Sequence, residues 1–156
     1  MGSTPTPEVH RATFDQLPGD VLYGMLRLRS EVFVVEQACV FLDLDGRDHE
    51  ADAEHLWTTD DAGVSGTLRL LHEDGAEWSI GRVVVRADVR SHGIAGRLVR
   101  AALERLAELG AATVHLGAQA HLRDWYARFG FAPCGPRYVE DGIPHLPMSL
   151  ELGTPS

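Results

Sequence analysis

The sequence predicts a mixed α/β domain, a mostly antiparallel sheet of about six to seven strands with helices on both faces. Three features predict it. Extended segments rich in β-branched and aromatic residues crowd between Glu54 and Arg86, separated by Asp-Gly-type turns. One strongly amphipathic stretch, Ile94 to Leu109, follows them. Short extended pieces then alternate with a second short helix toward the C-terminus. The length of 156 residues and the 44% hydrophobic content suit one domain with a real core. That domain is expected over residues 8–152, with flexible tails at 1–7 and 153–156.

Val9 to Phe14 alternates well enough for a first strand. After Pro18-Gly19-Asp20, apolar residues at Leu22, Met25, Leu26, Val32 and Phe33 share one helical face. The run Val32-Phe33-Val34-Val35 stiffens χ1 and should loosen that helix near its end. Asp43 to Glu54 carries six acids in twelve residues and reads as a solvated loop with some attraction for a cationic amine. Strands are expected near Glu54–Thr59, Val64–His72 and Trp78–Arg86, as an antiparallel meander. In Ile94–Leu109 the residues Ala95, Leu98, Val99, Ala102, Leu106 and Leu109 line one face, and Gly110 stops the helix. Thr113–Leu116 should be a strand, Gln119–Phe129 a short helix, Phe131 the start of an extended piece, and His145–Leu152 a closing strand.

The formal charge is −9, from 23 acids and 14 bases; every one of those bases is Arg, because the chain contains no Lys. Nucleic-acid binding needs a basic face, so that class is excluded. The field favours cationic partners such as amines. Cys39 and Cys134 are too few and too far apart for a disulfide scaffold or a zinc site. No charged-then-apolar leader and no apolar run of the ~18 residues a membrane span needs is present, so a cytoplasmic protein without membrane attachment is expected.

Arg90-Ser91-His92-Gly93-Ile94-Ala95-Gly96-Arg97 joins an apolar strand to the amphipathic helix, a setting that cradles phosphate. A Walker A loop requires a Lys the chain lacks. A dinucleotide fingerprint needs one more Gly and a parallel βαβ unit. The remaining pattern, Arg/Gln-x-x-Gly-x-Gly/Ala, is matched from Arg90 to Ala95. Metal patterns fail: Asp43–Glu54 has Gly46 in the wrong place for a calcium loop, and His49-Glu50 lacks the second His of a zinc helix. No metal is expected. Gly63-Val64-Ser65-Gly66 is not a nucleophile elbow.

The context "IGRVVVRADVRSHGIAGRLV" resembles the acetyl-CoA-binding segment of the GNAT N-acetyltransferase superfamily, and "LGAQAHLRDWYARFGFAP" resembles its second signature. "LRLRSEVFVVEQACVFLDLDGRDHEADAEH" and "YVEDGIPHLPMSLE" resemble its ElaA-type branch. The resemblance spans about Leu22 to Glu151. It implies acetyl-CoA as co-substrate, held at the pyrophosphate by Arg90, Arg97 and the amides of His92, Gly93, Ile94, Ala95 and Gly96. Val83, Val84 and Val85 would offer main chain to the pantetheine arm.

The resemblance further implies direct attack of an amine on the thioester. A backbone N–H near Val84 would meet the developing oxyanion, and Tyr126 would act as general acid toward the departing thiolate. Trp125 and Phe129 are expected in the core. The base is left among His121, His145, Glu140, Asp141, Glu36 or a water chain; His145 comes first because it stands in the branch motif. Arg29, Phe33, Glu36, Gln37 and Glu140 would line the acceptor side. Val40 and Phe41 stand where the branch has Pro and an aromatic hydroxyl, which implies a less polar acceptor. The acceptor class spans small-molecule and peptide amines. A longer acyl-CoA donor, a non-catalytic acyl-CoA sensor on the same fold and a homodimer are also compatible with the sequence.

Overall fold

The computed structural model describes residues 7–153; of the tails expected at 1–7 and 153–156, residues 1–6 and 154–156 lie outside the described residues. Eight strands form one sheet: β1 (His10–Thr13), β2 (Glu54–Asp60), β3 (Gly63–Asp74), β4 (Glu77–Val85), β5 (Thr113–Gln119), β6 (Ala132–Pro133), β7 (Tyr138–Glu140) and β8 (Ile143–Glu151). The order across the sheet is β1-β2-β3-β4-β5-β8-β6, with β7 added on β8. Every pairing is antiparallel except that of β4 with β5. The helices are α1 (Gly19–Arg29), α2 (Ile94–Glu108) and α3 (Arg123–Ala127).

Helices cover both faces, and β2 shows why. Successive strand residues point to opposite sides. Leu56 joins the core beneath α2, with Leu68, Leu98 and Leu106, whereas Trp57 joins Met25 of α1 and Ala12 of β1 on the other side. Gly66 of β3 permits the close approach of α2, since a Cβ there would sit 2.8 Å from Ile94 Cγ2 and 3.1 Å from Leu98 Cδ1.

Several elements differ from their sequence expectation. Phe14 opens a 3-10 turn instead of ending β1. The β-branched run after α1 does not simply fray: Ser30–Glu36 widens into a π-helical segment, relieving crowding against the preceding turn. The strand at Thr113 continues to Gln119, and the helix expected at Gln119–Phe129 contracts to a 3-10 turn at Ala120–Leu122 followed by α3. The extended piece at Phe131 divides into β6 and β7, which makes eight strands where seven segments were expected.

The solvated reading of the acidic loop is overturned at Asp43 and Asp48. Asp43 and Asp48 are each only 6% exposed, and they meet Arg29 and Arg69, exposed 2% and 4%. Arg29 Nε donates to Asp43 Oδ2 at 2.8 Å and its Nη1 to Asp48 Oδ1 at 2.7 Å. Arg69 bridges Asp45 and Asp48. Arg82 Nε lies 2.8 Å from Asp43 Oδ1, close enough for charge attraction, although both atoms are without an aligned hydrogen bond. The charges of Asp43, Asp45 and Asp48 are therefore spent on three Arg side chains far from them in sequence, whereas Glu50 stays half-exposed and Asp52 exposed.

Candidate functional site

Parallel pairing of β4 with β5 ends after three residue pairs, Glu77–Thr113, Trp78–Val114 and Ser79–His115. Beyond Ser79 the two strands part, and a cleft of about 830 Å³ opens between them. A bulge in β4 accompanies the parting. The register with β3 shifts between Thr67 and Arg69, and Arg82 takes a left-handed φ of 52°.

Val83, Val84 and Val85 all border the cleft. Val83 and Val85 pack into the core under α2, and Val84 packs with Leu28 and Val32 on the opposite face. With both sets of side chains engaged, what this stretch turns toward the cleft is its edge, whose backbone groups have no strand partner on that side. Such an edge suits an extended, amide-bearing ligand.

Tyr126 enters the cleft from α3. It is 7% exposed, and burial alone pushes its hydroxyl up to about 12, so it keeps its proton throughout the neutral range. Trp125 and Phe129 support it as half-buried core residues, with Trp125 edge-on to Tyr126 at 4.9 Å between centroids.

His145 of β8 lines the cleft as well. Its Nδ1 lies 2.8 Å from the Ile143 carbonyl, which can only accept, so Nδ1 carries a proton and the neutral ring has its lone pair at Nε2. Nε2 is 3.9 Å from Glu140 Oε2, and the ring stacks on Tyr138 at 5.5 Å. Tyr138 in turn crosses β5 at Gly117, where a Cβ would collide with the Tyr138 hydroxyl.

At the other end, α2 begins at an uncapped N-terminus. Gly93, with φ 78°, is the N-cap and has no side chain to offer, and the first intrahelical bond runs from the Arg97 N–H to the Gly93 carbonyl. The amides of Ile94, Ala95 and Gly96 are thus left for an anion at the positive end of the helix dipole. Arg90 lies between this turn and the cleft. Its Nε donates to the Val85 carbonyl, and its Nη1 lies 2.9 Å from Glu36 Oε2.

Of the residues expected to bind the acceptor, Phe33, Glu36, Gln37 and Glu140 border the cleft. Arg29 does not. It is buried in the Asp43–Asp48 network, because a guanidinium inside the fold must be paired, and its partners lay hidden in the acidic loop. His92 through Arg97 lie past the cleft's Arg90 end, and Arg97 Nε donates to the Pro7 carbonyl. Among the other candidate bases, His121 and Asp141 also border the cleft.

Sequence reasoning missed Arg82, Phe41 as its cation-π partner at 6.0 Å, and Tyr138. For Tyr138 a signal existed, its position just before the "EDGIPH" motif. Cys39 donates its thiol to the Asp141 carbonyl, joining the segment after the π-helix to the β7–β8 turn, and both cysteines are free. Among the described residues no group of three or more His, Cys, Asp or Glu side chains is placed to hold a metal ion, and no helix is long and apolar enough to cross a membrane.

Comparison with known proteins places this architecture. A family model described as an acetyltransferase (GNAT) domain matches residues 24–152. A UPF0039 protein of Mycobacterium tuberculosis is 44% identical over 147 residues, covering 92% of each chain. The crystal structure of Escherichia coli ElaA superposes with a TM-score of 0.87 at 36% identity, covering 94% of this chain and 100% of that one. A crystal structure described as an acyl-CoA N-acyltransferase from Pseudomonas aeruginosa gives the same TM-score and identity, over 93% and 99%.

Proposed function

The chain belongs to the ElaA-type branch of the GNAT acetyltransferase family, and from that premise we propose that it moves an acetyl group from acetyl-CoA to an amine by direct attack within one ternary complex. The observation that carries this reading is the opening of β4 from β5 beyond Ser79, with Tyr126 and His145 both facing the gap. The residues fit the co-substrate at each part. The free amides of Ile94, Ala95 and Gly96, with Arg90, suit a pyrophosphate. The unpartnered edge of Val83–Val85 suits the amides of a pantetheine arm.

Three tasks fall to the chain's own side chains and main chain. His145 Nε2, its tautomer set by Ile143, accepts the proton that the attacking amine must lose. A free β4 amide near Val84 donates to the oxygen on which negative charge develops. Tyr126, protonated because it is buried, gives its proton to the sulfur that leaves. Phe33, Phe41 and Tyr138 make the walls partly aromatic, in keeping with a less polar acceptor.

The test starts with thermal stability of the purified protein with acetyl-CoA, free coenzyme A and ATP. A ligand at a hundredfold excess over its dissociation constant stabilises the native state by about 2.7 kcal/mol. Both coenzymes should raise the melting point and ATP should not. Release of free thiol with an amine library then distinguishes turnover from binding alone. Coenzyme binding with no thiol release from any amine would favour the sensor reading, and no binding would end the assignment.

A further inference from the structure

A second cavity of about 340 Å³ adjoins the cleft. His121 and Ile143 border both spaces and stand between them. The second cavity is lined by Ala120, His121, Arg137, Ile143 and Pro144. Arg137 is the informative member. The fold's interior Arg side chains are committed to carboxylates, Arg29, Arg69 and Arg82 to the acidic loop and Arg105 to Glu54. Among the described residues Arg137 has no carboxylate within ion-pair distance and donates no side-chain hydrogen bond. Arg137 is exposed where it borders this shallow cavity, its guanidinium has no anionic partner there, and its planar fork matches a carboxylate.

The charge on the other side of His121 has the opposite sign. Glu140, the last residue of β7, and Asp141, in the turn after it, border the main cleft as His145 does. Arg137 directly precedes Tyr138, which pairs with His145 across β7 and β8 and stacks on its ring. Carboxylates next to the candidate base and an unpaired guanidinium bordering the adjoining cavity make a dipolar site. An ammonium approaching His145 meets Glu140 and Asp141, and a carboxylate on the same small molecule meets Arg137 and His121.

The geometry points to an acceptor that carries its own carboxylate, a free amino acid with an apolar side chain, with Arg137 as the residue that selects it. This rests on the acyl-transfer reading above for the reaction but not for the binding. In the transfer the bound ammonium first gives one proton to water, the amine nitrogen then forms the new bond to the acetyl carbon as the carbon–sulfur bond of the thioester breaks, its second proton passes to His145 and the thiolate takes one from Tyr126. The carboxylate is untouched and serves to hold the molecule.

The test compares phenylalanine with phenethylamine, and leucine with isoamylamine, pairs that differ by the carboxylate. Binding to the full chain is measured calorimetrically with and without free coenzyme A, and thiol release is measured with acetyl-CoA. The amino acid of each pair should bind at least tenfold tighter and show the lower KM. Arg137→Ala should collapse that ratio toward one, and Arg137→Glu should turn it in favour of the plain amines, with unchanged melting points confirming that both variants fold. Equal binding within each pair, no binding of either member, or a ratio that survives Arg137→Ala would overturn the inference. Failure of coenzyme A to bind would overturn the acyl-transfer reading instead, and the amino-acid preference measured without coenzyme would still decide the role of Arg137.

Discussion

Arg90 Nη1 lies 2.9 Å from Glu36 Oε2, so the one Arg placed between the helix turn and the cleft already has an anionic partner from the opposite wall. Both side chains are about two-fifths exposed, so the pair is screened by water and salt and contributes little to stability. Its consequence is for anion binding. Glu36→Gln leaves the Arg90 charge uncompensated and should tighten coenzyme A binding by roughly threefold at low salt, with the gain shrinking as ionic strength rises. Arg90→Ala should weaken it by about tenfold. Calorimetric titration of coenzyme A at two salt concentrations checks both.

Tyr126→Phe keeps the ring that packs against Trp125 and Phe131 and removes only the hydroxyl. Coenzyme affinity should be unchanged, and kcat should fall by about a hundredfold or more if the hydroxyl supplies the leaving-group proton. Because burial pushes that hydroxyl up to about 12, the wild type should show no loss of rate attributable to Tyr126 as pH rises to 10. A steady-state pH profile of both proteins tests the pair of statements.

Acid should destabilise the fold in two stages. Burial lowers the pKa of His55, whose Nε2 donates to the Asp48 carbonyl, so the native state keeps it neutral. Unfolded chains take up that proton first as pH falls through 6.5, so the stability His55 contributes is complete above that value and lost below it. The Arg69 hydrogen bond holds Asp45 well below the ordinary carboxylate range. For Asp48, burial works the other way, and Arg29 and Arg69 together overcome it. Their contribution is present above 3.8, the ordinary Asp value, and is lost as pH falls below it. Urea midpoints at pH 7.5, 5 and 2.5 should therefore decline stepwise, and His55→Gln should remove the upper step.

Arg29→Met leaves Asp43 and Asp48 buried without their main partner and should cost about 3–5 kcal/mol. Because the same network holds the segment that carries Phe41 and Leu42 against the cleft, the variant should also lose acceptor discrimination before it loses coenzyme binding. Urea unfolding and a two-ligand titration distinguish these effects.

Gly66→Ala puts a methyl 2.8 Å from Ile94 Cγ2, at the first turn of α2. The core there is closed, so overpacking should cost about 1–3 kcal/mol. Ile94 also offers one of the amides proposed for the pyrophosphate, so coenzyme binding should weaken although the substitution lies on β3. Coenzyme titration of the variant below its melting point tests this.

Local pattern made much of the fold legible. The period of α2, the turns at Asp60–Gly63 and Glu73–Gly75, and the order of the elements all appear in the sequence because each depends on neighbours a few residues apart. The short pieces after Phe131 were less legible, since strands of two and three residues have no periodicity to detect and exist only because β8 pairs with them. In the site, the turn from Arg90 to Arg97 and Tyr126 stood out through motif, whereas Arg29 was misplaced. Its type and position suit a cleft wall equally well until Asp43 and Asp48 are seen beside it.

The sequence by itself determined the fold class, the family and the strand–turn–helix that presents free amides at Ile94. All of these are written in contiguous residues. Only the tertiary structure decided what the charges do. Attraction between an Arg and an Asp falls with distance in space and is blind to distance along the chain. Thus Asp43 and Asp48 became buried partners of Arg29, Arg69 and Arg82, Asp45 became a more exposed partner of Arg69, Glu36 became the partner of Arg90, and Arg137 was left with its charge free beside the cleft.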